Sequence, residues 1–221
     1  DVVVLNDTKV LRARLVGENS MGQRAEVLLL GPRSSEGERG VGFGSGSLAG
    51  SEGRAAGMRW EAMVKPSKRF RIGDRVNFPP RLSAEVVGIF DGGTRLLEFG
   101  LGPEAFHHAL EETGRRPLPP YIKREPRASD AESYQSVFAS KPGSVAAPTA
   151  SLHLSEDMLG GIAGKGVEIV KVTLHVGAGT FKPVQSADLD GHVMHSEAYE
   201  MSEAAAEALN AARARGGRIW A

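Results

Sequence analysis

The chain has 221 residues, 41% of them hydrophobic and 24% charged, with zero formal net charge and no cysteine. That is ordinary globular composition, with enough apolar material for one large domain or two smaller ones. Lacking cysteine it has no disulfide, thiolate metal site or thiol nucleophile, so any chemistry rests on oxygen, nitrogen or a bound cosubstrate.

The longest apolar runs, such as VVVL at 2–5, fall far short of the ~20 residues of a membrane helix. No charged-then-apolar leader precedes them, and a cytoplasmic protein without membrane contact is expected. The neutral total conceals basic clusters. VKPSKRFRIGDRVNFPPR (64–81) holds six basic residues against one acidic, and RRPLPPYIKREPR (115–127) holds five against one. Such clusters either face water or neutralise phosphates.

In chain order, Val2 to Leu5 read as a buried strand and Asn6-Asp7-Thr8 as a turn or helix entry. From about residue 10 to 100 come six short β-like segments: VLRARLVG, RAEVLLLG, RWEAMVK, DRVNF, LSAEVVGIF and TRLLEF. Punctuated by Gly, Pro, Asp and Ser, they predict a small antiparallel barrel or sandwich. DGG at 91–93, before Thr94, marks a hairpin turn. Between the second and third segments, residues 33–57 hold eight glycines and five serines and read as a flexible loop.

After residue 100 helices and strands alternate, which predicts an α/β arrangement with parallel strands. Residues 103–114 form a helix opened by Pro103 and closed by Gly114, with His107 and His108 as a solvated or rim pair. Ser129 with Glu132 reads as a capping box opening a helix over 129–139, with Tyr134, Val137 and Phe138 on one face. Residues 155–164 give a short helix with acids in its first turn, and 202–217 a helix capped by Ser202 and stopped by Gly216. RGGRIWA then opens a further strand, so both ends read as cut.

Between these helices, Val170, Val172, Leu174 and Val176 share one strand face, and Lys171, Thr173 and His175 the other. His175 lies at the strand's carboxyl end, where α/β sheets and barrels place active sites. The alternation predicts an α/β main domain from 1–10 and 101–221, with the small barrel or sandwich inserted over 11–100.

Six segments, in this order, resemble a known family: LNDTKVLRARL (5–15), WEAMVKPSKR (60–69), RPLPPYIKR (116–124), YQSVFA with GSVAAPTASLHL (134–154), TLHVGAGTFKPV (173–184) and HVMHSEAY (192–199). The family is that of the S-adenosylmethionine:tRNA ribosyltransferase-isomerases of queuosine biosynthesis. The resemblance implies an α/β barrel-like domain carrying an inserted β-barrel. It also implies that S-adenosylmethionine serves as ribosyl donor to 7-aminomethyl-7-deazaguanine in tRNA, giving epoxyqueuosine-tRNA, adenine and methionine. No metal and a monomeric state are expected. Two departures stand out: Ser151-Leu152-His153-Leu154 replaces the family's Gly-Leu-His-Phe, and the 33–57 loop is longer than usual. The family extends beyond both ends, so the chain is expected to be roughly two-thirds of the enzyme.

That reaction needs a base, a proton for departing adenine and exclusion of water, and histidine suits both proton roles near neutral pH. His153, His175, His195 and Glu197 are the catalytic candidates. His153 follows APTAS before a helix whose free N–H groups suit a carboxylate, although Thr149 and Ser151 could simply cap that helix. His175 beside Gly177 and Gly179 offers an imidazole next to backbone donors, or else is a histidine satisfied within a strand layer. His192, His195 and Glu197 spell H-x-x-H-x-E, which lacks the i, i+4 spacing of a helical zinc site and fits an acid-base cluster better. Asn6, Asp7 and Thr8 are turn caps or ribose acceptors. Tyr121, Lys123 and Arg124 clamp tRNA unless PLPPY is only an extended connector, and Lys65, Lys68 and Arg69 are candidate phosphate contacts. Two rivals remain. One is a non-catalytic RNA-binding module, which would not bind S-adenosylmethionine. The other is a nucleotide enzyme using the GAG loop, weakened by the lack of a Walker-type lysine.

Overall fold

The structure, a computed structural model, describes residues 1–33, 57–90, 93–119, 122–124, 126–127, 129–181 and 197–221. It divides into two compact units: Asp1–Val10 with Arg127–Ala221, and Leu11–Pro126 between them. The chain opens with strands β1 (Val2–Asn6) and β2 (Thr8–Val10), both in the first unit.

The six β-like segments become β3 (Arg14–Asn19), β4 (Arg24–Pro32), β5 (Met58–Lys65), β6 (Arg75–Phe78), β7 (Leu82–Ile89) and β8 (Arg95–Phe99). They pair antiparallel and close into a barrel in the order β3-β4-β5-β8-β7-β6. Closure leaves no free sheet edge and directs every second side chain inward. Leu15, Val27, Leu29, Trp60, Val76, Phe78, Val86, Leu97 and Phe99 accordingly form one buried core. The β7–β8 turn is the expected hairpin: the Phe90 N–H donates to the Thr94 carbonyl at 3.0 Å and Gly93 takes φ of 85°, although 91–92 lie outside the described residues. Most of the expected flexible loop, 34–56, also lies outside them.

Helix α1 (Pro103–Thr113) starts on proline and ends where the Gly114 N–H bonds the Leu110 carbonyl at 2.8 Å. Phe106, Ala109 and Leu110, spaced three and one apart on one face, enter the barrel core. The Phe106 ring centroid lies 4.8 Å from that of Phe99 and 5.6 Å from that of Trp60. Residues 101–126, assigned from sequence to the α/β domain, therefore group with the barrel. The expected pair at 107 and 108 divides: His107 is half-buried against Phe106, and His108 is exposed beside Glu112 at 3.6 Å.

The other unit continues with helix α2 (Asp130–Ser133), strand β9 (Lys141–Ser144), helix α3 (Glu156–Gly164), strand β10 (Glu168–Leu174), strand β11 (Tyr199–Glu200), helix α4 (Glu203–Ala214) and strand β12 (Ile219–Trp220). A four-stranded sheet runs β11-β10-β1-β12, and β2 pairs with β9 separately. β1 is parallel to β10 and β12, and β11 is antiparallel at the edge. Val2 and Val170 of the sheet pack with Ala205 and Ala212 of α4. Ser155 and Ser202 cap α3 and α4 by accepting from the Met158 and Ala205 N–H groups, each at 3.2 Å.

Two expectations are corrected. The helix expected over 129–139 stops after Asp130–Ser133, and Ser129 makes no side-chain cap bond. Instead the Asp130 carboxylate accepts from the Arg127 N–H at 2.6 Å, and the Ala139 N–H bonds the Ser136 carbonyl at 3.1 Å, so local turns outcompete the helix. Tyr134 and Phe138 are buried while Val137 is 51% exposed. Along β10, the expected alternation breaks: Val170 and Thr173 are buried, and Leu174 is 38% exposed. Burial of Thr173 is possible because its hydroxyl donates to Asp7, at 2.6 Å. Among the described residues no helix is long and apolar enough to cross a membrane.

Candidate functional site

β1 and β10 run parallel, with Asn6 opposite Val172, and both carry polar side chains where they end. Asn6 clamps the main chain of β10: its Oδ1 accepts from the Leu174 N–H at 2.9 Å and its Nδ2 donates to the Leu174 carbonyl at 2.9 Å. Oδ1 also accepts from the Thr8 N–H at 3.1 Å, turning the chain from β1 into β2. Asp7 is buried and fully engaged. Its Oδ1 accepts from Thr173 Oγ1 at 2.6 Å and its Oδ2 from Ser140 Oγ at 2.7 Å.

The next residue leads to the imidazole. Thr8 Oγ1 lies 2.6 Å from Ser144 Oγ and 3.0 Å from His175 Nδ1. Ser144 Oγ also accepts the Val176 N–H at 2.8 Å. The His175 backbone N–H donates to the Ala198 carbonyl at 2.9 Å, and that of Gly177 donates to Glu197 Oε1 at 2.8 Å. One ring face lies against Gly143, where a Cβ atom would stand 2.8 Å from the ring Cγ and overlap Nδ1 and Cε1. Glycine is therefore required at 143 for the ring to occupy this place.

Burial lowers the His175 pKa from 6.5, Glu200 and Asp7 work against that shift, and Lys141 adds to it, so the ring is neutral at pH 7. Lys141 is itself engaged with Glu200, its Nζ donating to Oε2 at 2.9 Å. The arrangement is a half-buried neutral imidazole with a fixed ring plane, at the carboxyl end of parallel strands.

Of the sequence candidates, the structure joins Asn6, Asp7, Thr8 and His175 in one hydrogen-bonded group, with Gly177 and Glu197 adjoining through the main chain. Gly179 sits in the following 3-10 turn, Ala178–Phe181. Thr149 and His153 lie exposed in a 3-10 turn, Thr149–His153, and take no part in the bonds above. The cap of α3 is Ser155, four residues beyond Ser151 and six beyond Thr149, which were expected to act as caps. His192, His195 and Tyr121 lie outside the described residues. No group of three or more His, Asp or Glu among the described residues is arranged to hold a metal ion.

Sequence reasoning missed Ser140, Gly143, Ser144 and Thr173. The available signal was small or hydroxyl-bearing residues at strand ends, Gly143-Ser144 closing β9 and Thr173 preceding the histidine.

In the barrel unit, Lys65, Lys123 and Arg124 converge with Arg14 on an open cleft of about 590 Å³, whose floor includes Leu28, Met63 and Pro119. Arg14 is paired there with Glu26 at 2.8 Å. Lys68 and Arg69 are exposed on the 3-10 turn Ser67–Arg69. Buried Arg95 pins that turn, donating from Nη2 to the Ser67 carbonyl at 2.6 Å and from Nε to the Phe70 carbonyl at 2.9 Å.

Fold and site define a two-unit protein, a closed β-barrel inserted into an α/β unit that bears a histidine-centred polar cluster. All 221 residues match the family model described as "Queuosine biosynthesis protein", and the chain belongs to that family. It is 45% identical over 222 residues to the S-adenosylmethionine:tRNA ribosyltransferase-isomerase of Gloeobacter violaceus, covering 100% of this chain and 56% of that one. Proteins of the same name from Anaeromyxobacter sp. (strain K) and Desulforamulus reducens are 46% and 43% identical, with 100% of this chain and 58% of each relative covered. The chain thus spans less than two-thirds of the length of these relatives. A crystal structure of S-adenosylmethionine tRNA ribosyltransferase from Thermotoga maritima aligns with 99% of this chain and 50% of its own, at 22% identity and a TM-score of 0.31, a superposition too loose to argue from.

Proposed function

We propose that this chain carries the core of a ribosyltransferase-isomerase, transferring and isomerising the ribosyl group of S-adenosylmethionine onto 7-aminomethyl-7-deazaguanine in tRNA. The observation that supports it best is the neutral imidazole of His175 at the end of β10, held by Thr8 and seated on Gly143. It occurs within a chain whose full length matches relatives of that name.

The sulfonium of S-adenosylmethionine acidifies the adjacent C5′ hydrogens. A protein base takes one of these protons and adenine departs with a proton of its own. The amine of the deazaguanine then attacks, and ring closure expels methionine, leaving epoxyqueuosine on the tRNA. His153, His175, His195 and Glu197 are the groups proposed to handle these protons. Asn6, Asp7, Thr8, Thr149, Gly177 and Gly179 are proposed to shape the S-adenosylmethionine pocket. Both Asp7 oxygens already hold hydroxyls, so its first service is to fix the ends of β9 and β10. On the barrel, Lys65, Lys123 and Arg124 share one cleft, and with Tyr121, Lys68 and Arg69 they are proposed to contact the tRNA backbone.

The test is incubation of the chain with S-adenosylmethionine and tRNA bearing the 7-aminomethyl-7-deazaguanine base, with assay of free adenine and of the modified nucleoside. Release of both is expected. Binding of tRNA without any calorimetric binding of S-adenosylmethionine would identify an RNA-binding module built on the basic cleft and overturn the transferase reading.

A further inference from the structure

The outer face of the barrel carries an apolar strip with a cationic border. Ala13 and Leu15, Val27 and Leu29 of β4, and Ala62 and Val64 of β5 are buried in the barrel core. By alternation Arg14, Leu28 and Met63 stand on the outside. The ladder sets them in one row, Arg14 opposite Leu28 and Leu28 opposite Met63, with Glu26 opposite Lys65 in the next outer row. The segment after α1 forms the facing wall. Arg14 and Arg115 exchange backbone hydrogen bonds of 3.0 and 2.8 Å, and Pro117, Leu118 and Pro119 then line the cleft alongside that row. Proline has a fixed φ and no N–H, so this wall is stiff and poor in donors. The cleft, about 590 Å³, lies wholly within Leu11–Pro126. Lys65, Lys123 and Arg124 are exposed at its border. Glu26 is the one carboxylate among the described lining residues, and Arg14 holds it at 2.8 Å.

The two parts of the cleft suit two kinds of ligand atom. Exposed cations attract phosphates, and an apolar slot with a stiff wall attracts a flat ring. A double helix offers phosphates and base edges, but its ring faces are stacked on one another. An unpaired nucleotide offers both a phosphate and an open ring face on one covalent unit. We propose that this cleft takes an unpaired base of single-stranded RNA, the ring lying on Leu28 and Met63 against the proline wall and the flanking phosphates on Lys65 and Lys123. The Met63 thioether is polarizable and adaptable, which suits it to rings of different shape. The contact of the barrel with tRNA is then to a loop nucleotide, not to a paired stem. The choice of RNA as the source of the base rests on the proposed transferase reading, whereas the pairing of a ring with an anion rests on the cleft itself.

The test is fluorescence anisotropy of the protein with a short labelled RNA that has no secondary structure. Three comparisons accompany it: the same strand annealed to its complement, an abasic strand of the same length, and competition by a nucleoside monophosphate or by polyglutamate. The single strand is expected to bind at least about fivefold more tightly than the duplex or the abasic strand, the low end of what one stacked base contributes. Because the duplex carries the denser charge, a purely electrostatic surface would give the opposite order. Met63→Ser should weaken the single strand to a similar degree and leave the slope of log affinity against log salt unchanged, while Lys65→Gln and Lys123→Gln flatten that slope. Equal binding of the abasic strand overturns the proposal in the unsubstituted protein, whether or not any variant folds. So does unaltered affinity in a Met63→Ser protein with a native amide spectrum. A monophosphate that binds as tightly as the strand would make this a free-nucleotide site, and displacement by polyglutamate at equal charge a site for an acidic protein; either result overturns it. If the single strand binds as stated while no adenine is released with S-adenosylmethionine and tRNA, the transferase reading fails and the base site stands. If adenine is released while the abasic strand binds equally well, the base site fails and the transferase reading stands.

Discussion

Replacing Gly143 by alanine isolates the seating of the imidazole. The new Cβ would stand 2.8 Å from the ring Cγ of His175 and overlap Nδ1 and Cε1. Carbon atoms rest ~3.5–4.0 Å apart, and Cε1 is nearer than Cγ, so the ring must retreat by ~1.2–1.7 Å. The hydrogen bond between Thr8 Oγ1 and Nδ1, now 3.0 Å, then stretches beyond useful range. Losing such a bond removes ~0.5–1.5 kcal/mol, and leaving a buried polar group without its partner costs ~1–3 kcal/mol, two estimates that overlap. Reduced freedom of the unfolded chain returns ~0.4–1 kcal/mol. A net loss of about 1–2 kcal/mol is expected in urea denaturation followed by a probe in the α/β unit. The matched control is Gly177→Ala, in the same cluster, where the nearest atom to a Cβ is Glu197 Oε1 at 3.5 Å, an ordinary contact. Equal stability of the two variants, with the His175 ring resonances unmoved in Gly143→Ala, would refute the packing argument.

Gly160 and Gly161 lie exposed within α3 with nothing near a Cβ position, so each substitution by alanine should raise stability by up to ~1 kcal/mol in the same denaturation assay. Ser202→Ala should cost ~1 kcal/mol by removing the acceptor for the Ala205 N–H, read as earlier melting of the α/β unit. Burial lowers the pKa of both His107 and His175 below 6.5, so the unfolded chain binds more protons than the folded one just below that pH. Their contribution is complete above pH 6.5 and is lost as pH falls through the folded values; thermal melts should show Tm dropping with acidity, and dropping less in His107→Gln. Neutralising Lys65, Lys123 and Arg124 together should weaken tRNA binding and flatten its dependence on log salt by roughly two units, whereas an unchanged slope would place the tRNA elsewhere.

The barrel was readable because every second residue is buried along most of each strand, with partly or fully exposed residues between, and Gly, Pro and Asp separate the runs. Period and punctuation there agree with the paired strands. Helix α1 was readable as a helix but not as a barrel element, because its face of Phe106, Ala109 and Leu110 fits any apolar surface and periodicity names no partner. The 129–139 region failed for a local reason: Ser129 and Glu132 have the spacing of a capping box, but Asp130 bonds the Arg127 N–H and fixes a turn instead. At the site, His175 stood out because a strand ended on it. Ser144 and Thr173 did not, since a buried hydroxyl announces itself only through the partner that satisfies it, and those partners lie 136 and 166 residues away.

That distance also explains why Asn6-Asp7-Thr8 reads as a plain turn in isolation yet organises the cluster. Three consecutive residues reach three different places: Asn6 the main chain of β10, Asp7 the hydroxyls of Thr173 and Ser140, and Thr8 the hydroxyl of Ser144 and the imidazole. Each link alone is a modest hydrogen bond, but the three share one short stretch of backbone, so their geometries are coupled and none can shift without straining the others. A ring held in one place at a strand end needs that kind of support, since a strand end held by its own ladder bonds would fray. It follows that Asp7→Asn should disturb His175 although the two side chains share no hydrogen bond. The amide exchanges one acceptor oxygen for a donor, so the Thr173 or Ser140 hydroxyl facing it must swing its own proton to another acceptor or leave it unsatisfied. The His175 ring resonances should shift in that variant, and their constancy would show that Asp7 secures the strand ends independently of the imidazole.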